Sequence, residues 1–477
     1  MSDNLFKKFL TYFYGSGVGL IIGLITTIIS TRILTPEDFG KASMFTLALN
    51  VLMIFIIFGT DQAFVRFFYE EEQGLRGKLL FNTMKIPFII LVIVLIVLMI
   101  FREKIMLFLF DETNSMVFFI LIISIIFQVI YRFAMLVIRM QQKGHLFSLM
   151  EISNKSLNLI LLLVLFYSIG GNFEILIYST GISLIILSVI SILLEKSFWN
   201  PFKGKVMSVK HSQKDIFQFS YPLVLTTLIT WLFQAFDKIA IRQWSDFEEL
   251  GLYSAAFRIV ALLNVVQITF TTFWSPVCYE HYEKYPDDKE FFSRTSRIIG
   301  LVMFTVAIIT ILFKDVIVFL LGPEFREAAI IMPFLIFMPM MYTISETTVV
   351  GLNFSKKTKW HIVIAGAACL ANIVGNILLV PIYGAAGAAV STGLSYILFF
   401  ILRTHISQKY YYVDYNLKKV YFLIICLSMF ALQNMIWSQH LLTYLTGVFL
   451  LLLVGILYRT DLKNILVIIK NRRKEVE

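Results

Sequence analysis

Charge is scarce in this 477-residue chain: Asp, Glu, Lys and Arg make up 15% of it, against 58% hydrophobic residues. A soluble chain of this length would split into two or three domains with charged surfaces, and so little charge excludes that class. Cysteine is scarcer still. Cys278, Cys369 and Cys426 stand far apart with no CxxC pair, which removes paired zinc or redox chemistry and leaves buried packing. The six histidines show no metal-ligand spacing, and no DxD, Walker or GxSxG motif occurs. No loop is long enough to be a separate domain. The expectation is a protein that is not an enzyme and needs no metal or other cofactor.

What is present is apolar length. Hydrophobic blocks of about 18–24 residues recur along the chain, enough to cross a bilayer at about 1.5 Å per residue. Only a helix satisfies its own backbone in hydrocarbon, so each block predicts a helix. The predicted spans are 9–31, 42–62, 79–101, 115–138, 150–168, 173–194, 217–240, 250–273, 297–320, 327–350, 360–380, 385–402, 420–436 and 441–458. Lys7-Lys8 before the first resembles a signal sequence in charge, but the run is too long and no small-residue cleavage site follows. It reads as a permanent span. The fold class is therefore an all-α polytopic membrane protein of about 14 transmembrane helices.

The basic residues support an even count. With alternate segments placed inside, 29 of the 41 Lys and Arg fall on one side, eight on the other and four within spans. That asymmetry puts both termini in the cytoplasm. The net charge of +10 is then a topology signal. Spread over many short loops, it speaks against nucleic acid as a partner.

Two strings recur at an offset of about 210 residues. Arg32-Ile-Leu-Thr-Pro-Glu-Asp-Phe-Gly40-Lys-Ala-Ser43 parallels Arg242-Gln-Trp-Ser-Asp-Phe-Glu-Glu-Leu-Gly251-Leu-Tyr-Ser254, and Phe166-Tyr-Ser-Ile-Gly-Gly171 parallels Val380-Pro-Ile-Tyr-Gly384-Ala. Six spans per repeat give two pseudo-symmetric six-helix lobes of like orientation around a central cleft, with two extra C-terminal helices. The expected division is 1–195 for the N-lobe, 196–216 for a cytoplasmic linker, 217–403 for the C-lobe and 404–477 for the last two spans and a basic tail.

Charges inside spans are costly and mark pathways. Lys85, Arg132 and Lys155 all fall in the cytoplasmic halves of their spans, with Arg66 at the mouth, a pattern suited to an anion such as a diphosphate. Snorkelling is the competing explanation. Asp237, Lys238 and Arg258 sit toward the outer end of the second lobe, where Asp237 and Arg258 either pair across helices or form an outer gate. Asp61 and Glu346 are carboxylates at membrane depth, able to carry a proton, and are the candidates for ion coupling. Glu346 has no basic neighbour in sequence before Lys356. Pro333 and Pro339 predict a broken helix in span ten.

Arg32 to Gly40, Gly59-Thr-Asp61-Gln-Ala-Phe-Val-Arg66-Phe, Phe236-Asp237-Lys238, Gly251-Leu-Tyr-Ser-Ala-Ala-Phe-Arg258 and Asn376-Ile-Leu-Leu-Val-Pro381-Ile-Tyr-Gly384-Ala-Ala-Gly-Ala-Ala389 together resemble the polysaccharide-biosynthesis flippases, the O-antigen, capsule and exopolysaccharide carriers of the multidrug/oligosaccharidyl-lipid/polysaccharide (MOP) exporter superfamily. The resemblance covers about residues 5–415. It implies a cationic lumen, a bacterial inner-membrane location, and an oligosaccharide on undecaprenyl diphosphate as the substrate flipped to the outer leaflet. It also implies proton or sodium coupling, and a place among the membrane lipids, polymerase and glycosyltransferases of the same pathway. A peptidoglycan-precursor (lipid II-type) flippase shares the diphosphate lipid and is the runner-up. A drug–cation antiporter fits less well, because the intramembrane charge is mainly basic. A glycan polymerase or ligase needs an acid/base or metal site on a sizeable outer loop, and the outer loops near 102–114 and 241–250 are short.

Overall fold

The structure, a computed structural model, describes residues 2–200, 209–437 and 440–463. Lys203 and Lys205 of the expected linker, Lys470 to Lys474 of the expected tail, and the side chains of Lys7 and Lys8 lie outside the described residues. Every regular element among the described residues is helical. The chain forms two compact units, residues 1–235 and 236–477, and the division falls within one helix.

The first unit opens with α1 (Ser2–Ile33) and α2 (Pro36–Ile57). Thr35 caps α2, and Pro36 occupies the position where a missing N–H costs nothing. Phe58 and Gly59 are both left-handed and break the chain before α3 (Thr60–Phe67), so the single span expected over 42–62 is two helices. At Gly59 a Cβ would stand 2.8 Å from the carbonyl of Ser220, a close approach that only glycine permits. Then follow α4 (Arg76–Ile100), α5 (Arg102–Phe110), α6 (Ser115–Met140), α7 (Gly144–Ile169) and α8 (Glu174–Leu194). Helix α2 packs on α4 and α6, α6 on α8, and α1 on α7. Helix α9 (Gln213–Trp244) ends the first unit and begins the second.

The second unit continues with α10 (Phe247–Val260), α11 (Leu263–Lys284), α12 (Lys289–Leu312) and the short α13 (Lys314–Val318). Helix α11 runs on to Lys284, about three turns past the predicted end of span eight. Next come α14 (Ala328–Leu335), α15 (Phe337–Thr348) and α16 (Val350–Phe354). The break between α14 and α15 lies between Pro333 and Pro339, as predicted from the N–H groups those residues lack. Buried hydroxyls in α15 bond back to the preceding turn, Thr343 to Pro339 at 2.6 Å and Thr347 to Ile344 at 2.7 Å.

Helix α17 (Lys359–Gln408) is continuous in hydrogen bonding but reverses at Gly384, whose φ of 52° and ψ of −134° no helix contains. Its two arms pack antiparallel: Asn372 meets Thr392 at 3.1 Å and Asn376 meets Ser391 at 3.3 Å. Helices α18 (Leu417–Ile436) and α19 (His440–Leu457) pack on α14 and α12 of the same unit. Eleven helical segments among the described residues are long and apolar enough to span a bilayer, and Gly17–Ile33 and Leu441–Leu457 are shorter apolar helices. Because α17 doubles back, these correspond one for one to the fourteen predicted spans. This is an all-α multi-pass membrane protein.

The repeat is visible in the contacts. In the first unit Thr35 caps α2, and Asp38, three residues on, accepts the backbone N–H of Phe173 at 3.0 Å. In the second, Asp246 caps α10, and Glu249, again three residues on, accepts that of Ala385 at 2.9 Å. The caps and the acids lie 211 residues apart and the donors 212. In each repeat the first string therefore touches the end of the second or a residue just past it.

Candidate functional site

The most elaborate polar cluster surrounds Asp237 on α9, which is 1% exposed. Tyr253, two turns into α10, donates its hydroxyl at 2.5 Å, and Thr392 on the second arm of α17 donates at 2.5 Å. Asn372 and Asn376, one turn apart on the first arm, donate amide N–H groups at 3.0 and 2.7 Å. Ser391 lies beside them, donating to the Asn372 carbonyl at 2.8 Å. The hairpin at Gly384 is what brings 372 and 376 opposite 391 and 392.

The four donors satisfy the carboxylate but leave acceptors stranded: Asn372 Oδ1 and Asn376 Oδ1 are buried and have no hydrogen-bond partner. Such orphans in a dry site are costly and call for a donor or a cation. Rotation of either amide about its last torsion turns an oxygen toward Asp237 in place of the N–H. The cluster then offers carboxylate, amide and hydroxyl oxygens with one net negative charge, hard donors suited to a single small cation or a proton. No group of three or more His, Cys, Asp or Glu able to hold a metal occurs among the described residues.

Neutral groups from α10 and α17 donate to the Asp237 carboxylate. Arg258 on α10 and Lys238 on α9 are both half-buried and close enough for their charges to repel, so the two cations lie together beside the cluster.

The second buried charge pair is Glu346 of α15 with Arg403 of the second α17 arm, at 2.7 Å, the residues being 9% and 6% exposed. Arg403 also donates to Ser345 at 2.7 Å and lies over the rings of Tyr342 and Phe399. Sequence reasoning found no basic neighbour for Glu346 before Lys356, and placed Arg403 in a cytoplasmic segment. The partner comes from 57 residues downstream, one turn inside α17's end.

In the first unit Asp61, buried in the first turn of α3, pairs with Arg132 of α6 at 2.6 Å. A carboxylate expected to couple ions and a cation expected to hold an anion are thus partners. Arg66 is exposed and paired with Glu70 one turn later. Lys85 is exposed on the same stripe of α4 as Phe88, Ile89 and Val92, and the stem of Lys155 on α7 passes 3.8 Å from the Cβ position of Gly19 on α1. The four expected vestibule cations are all in this unit, and Arg132 has its carboxylate partner on another helix.

Sequence reasoning missed Tyr253, Asn372, Ser391, Thr392 and Arg403. The i,i+4 pair of asparagines inside an apolar span was a readable signal, since amides at membrane depth are rarely idle.

Residues 5–281, more than half of the chain, match the family described as "Polysaccharide biosynthesis protein". The chain belongs to that family. Comparison with curated protein sequences finds no match. Among solved structures the fold is similar to "Lipid II flippase MurJ, inward closed conformation", with a TM-score of 0.68, 18% identity, and coverage of 94% of this chain and 99% of that one. It is also similar to inward-facing and outward-facing structures of a "multidrug resistance MATE family transporter of the MOP superfamily". Their TM-scores are 0.59 and 0.54, at 12% and 13% identity, covering 85% and 87% of this chain and 95% and 94% of theirs. At these identities the likeness establishes the fold alone, which this family member shares over nearly its whole length.

Proposed function

We propose that this protein is an alternating-access flippase. It carries an oligosaccharide on a polyprenyl diphosphate from the cytoplasmic to the outer leaflet of a bacterial inner membrane, for surface polysaccharide assembly. One observation supports this above the others. A member of a polysaccharide-biosynthesis family, with a transporter fold, holds a fully buried carboxylate among hydroxyl and amide groups from α10 and both arms of α17. In this reading Asp237, with Asn372, Asn376 and Thr392, takes a proton or a sodium ion that drives the cycle. Arg132, Lys85, Lys155 and Arg66 attract the diphosphate, and Lys238 and Arg258 meet it further along. Asp61 holds Arg132 until an anion competes for it. Both termini face the cytoplasm.

A second reading has the fold similarity to the lipid II flippase in its favour: the cargo is a peptidoglycan precursor on the same diphosphate lipid. Proteoliposomes loaded with a labelled polyprenyl-diphosphate oligosaccharide separate the two. Flipping that an unlabelled peptidoglycan precursor fails to compete away, that responds to a sodium or proton gradient, and that loses this response in Asp237→Asn supports the proposal. Flipping of the precursor alone replaces the cargo. Exchange of organic cations with no lipid transport overturns the flippase reading.

A further inference from the structure

The chain entering α9 is fastened to the end of α3 by two neighbouring glutamates that act differently. Glu71, 3% exposed, accepts the backbone N–H groups of Lys210 at 2.6 Å and His211 at 3.3 Å. Both donors are backbone amides, which carry no titrating proton. Glu70 instead holds a side chain: its Oε2 lies 2.9 Å from Nε2 of His211, whose ring stacks on Phe67 with centroids 3.9 Å apart and planes 15° from parallel. Just beyond, Ser212 donates to Asp215 through its N–H and its hydroxyl, at 2.8 Å each, forming the cap of α9. Gln213 donates to the carbonyl of Asn82 on α4 at 2.8 Å. All of these residues belong to the first unit.

We propose that His211, with Glu70 and Phe67, is a proton-sensitive fastener that sets how firmly the linker holds the start of α9. Imidazole changes charge between about pH 5 and 8. Neutral, it hydrogen-bonds the Glu70 carboxylate. Protonated from solvent, it adds the attraction of an ion pair to that bond, and its face on Phe67 gains a cation–π attraction. The surrounding charges frame this balance. Asp215 is a second carboxylate near enough to interact with His211, Lys210 and Lys214 flank it in sequence, and Arg66 shares the Glu70 carboxylate. Arg76 on α4 is turned onto the rings of Phe68 and Tyr69. Glu71 keeps the linker attached throughout, so acidification tightens a hold that neutral pH only loosens. Helix α9 is the element both units share, so a hold on its first turn acts on the one continuous helix between them. A similar trio in the second unit has no such reach. His281 lies 2.9 Å from Asp288 and stacks on Phe291, but its partner is seven residues away in the same turn.

The test is hydrogen exchange of the full chain in nanodiscs, with rates corrected for the intrinsic effect of pH. Between about pH 7.5 and about pH 5.5, protection of the amides of 210–213 rises about twofold to fivefold in the wild type, the range for a partly exposed ion pair. In His211→Phe, which keeps the stack, and in Glu70→Gln the profile is flat. A flat wild-type profile, or a wild-type response in His211→Phe, overturns the proposal. If His211→Phe also loses protection in α6 and is therefore misfolded, Glu70→Gln decides: flat supports the fastener, a wild-type rise overturns it. The readout does not depend on transport, so it stands or falls apart from the proposed cargo.

Discussion

Asp38 accepts the backbone N–H of Phe173 at 3.0 Å, joining the first turn of α2 to the residue that opens α8. Its counterpart Glu249 does the same for Ala385. Each carboxylate satisfies an N–H that a helix start leaves without an intrahelical acceptor. Asp38→Ala and Glu249→Ala are each expected to cost about 1–2 kcal/mol, seen as matching drops in unfolding midpoint in detergent. A drop in only one would mean that the two caps are not equivalent.

Gly384 is the hinge of the α17 hairpin. Its backbone conformation is one that L side chains avoid, and a Cβ would meet Glu249 Oε2 at 2.9 Å. Gly384→Ala should therefore destabilise by about 1–3 kcal/mol. It should also misplace Ser391 and Thr392 relative to Asn372 and Asn376, so ion-dependent transport falls further than stability does. Wild-type transport and midpoint in this variant would show that the hairpin tolerates a side chain there.

Glu346 and Arg403 form a pair that is expensive to halve. Arg403→Met leaves a buried carboxylate alone and is expected to cost about 3–5 kcal/mol, whereas Glu346→Gln with Arg403→Met should recover most of it. A double-mutant cycle on thermal unfolding measures the difference. If the double variant folds and transports with unaltered pH dependence, Glu346 is structural and drops out as a coupling residue.

Glu112, in the turn between α5 and α6, has its carboxyl held above the usual range by burial, with Glu174, Asp38 and Glu37 adding to the effect and Lys41 opposing it. A carboxyl whose folded pKa exceeds its unfolded value binds more protons when folded, so stability falls as pH rises between the two values. Glu112→Gln should thus raise the unfolding midpoint at neutral pH, with the gain vanishing below about pH 4. A gain that persists in acid would assign the effect to packing rather than charge.

Asp61 and Arg132 are best tested together. Arg132→Ala strands a buried carboxylate, and Asp61→Asn relieves it, so the double variant should unfold closer to wild type than Arg132→Ala alone. Transport that stays low in the double variant would show that Arg132 is needed for cargo beyond its bond to Asp61.

Much of this protein was legible before any fold. Unbroken apolar length has one solution in a bilayer, so Phe81 to Ile100 or Glu174 to Leu194 announce helices without tertiary help. The offset between Arg32–Ser43 and Arg242–Ser254 announced the repeat, and the caps Thr35 and Asp246 within those strings start equivalent helices. Boundaries were harder. The left-handed pair Phe58–Gly59 sits against Ser220, a neighbour that spacing does not reveal.

Charge partnership belonged to the tertiary structure alone. Sequence marked Asp61, Arg132, Asp237 and Glu346 as costly groups at membrane depth, but not which helix would turn toward them. Asp61 meets Arg132 across 71 residues, Asp237 meets Thr392 across 155, and Glu346 meets Arg403 only because α17 doubles back at Gly384. Hydropathy and periodicity determine that a segment crosses the membrane. The rotation of each helix about its axis, set by packing against partners distant in the chain, decides which buried charges find one another.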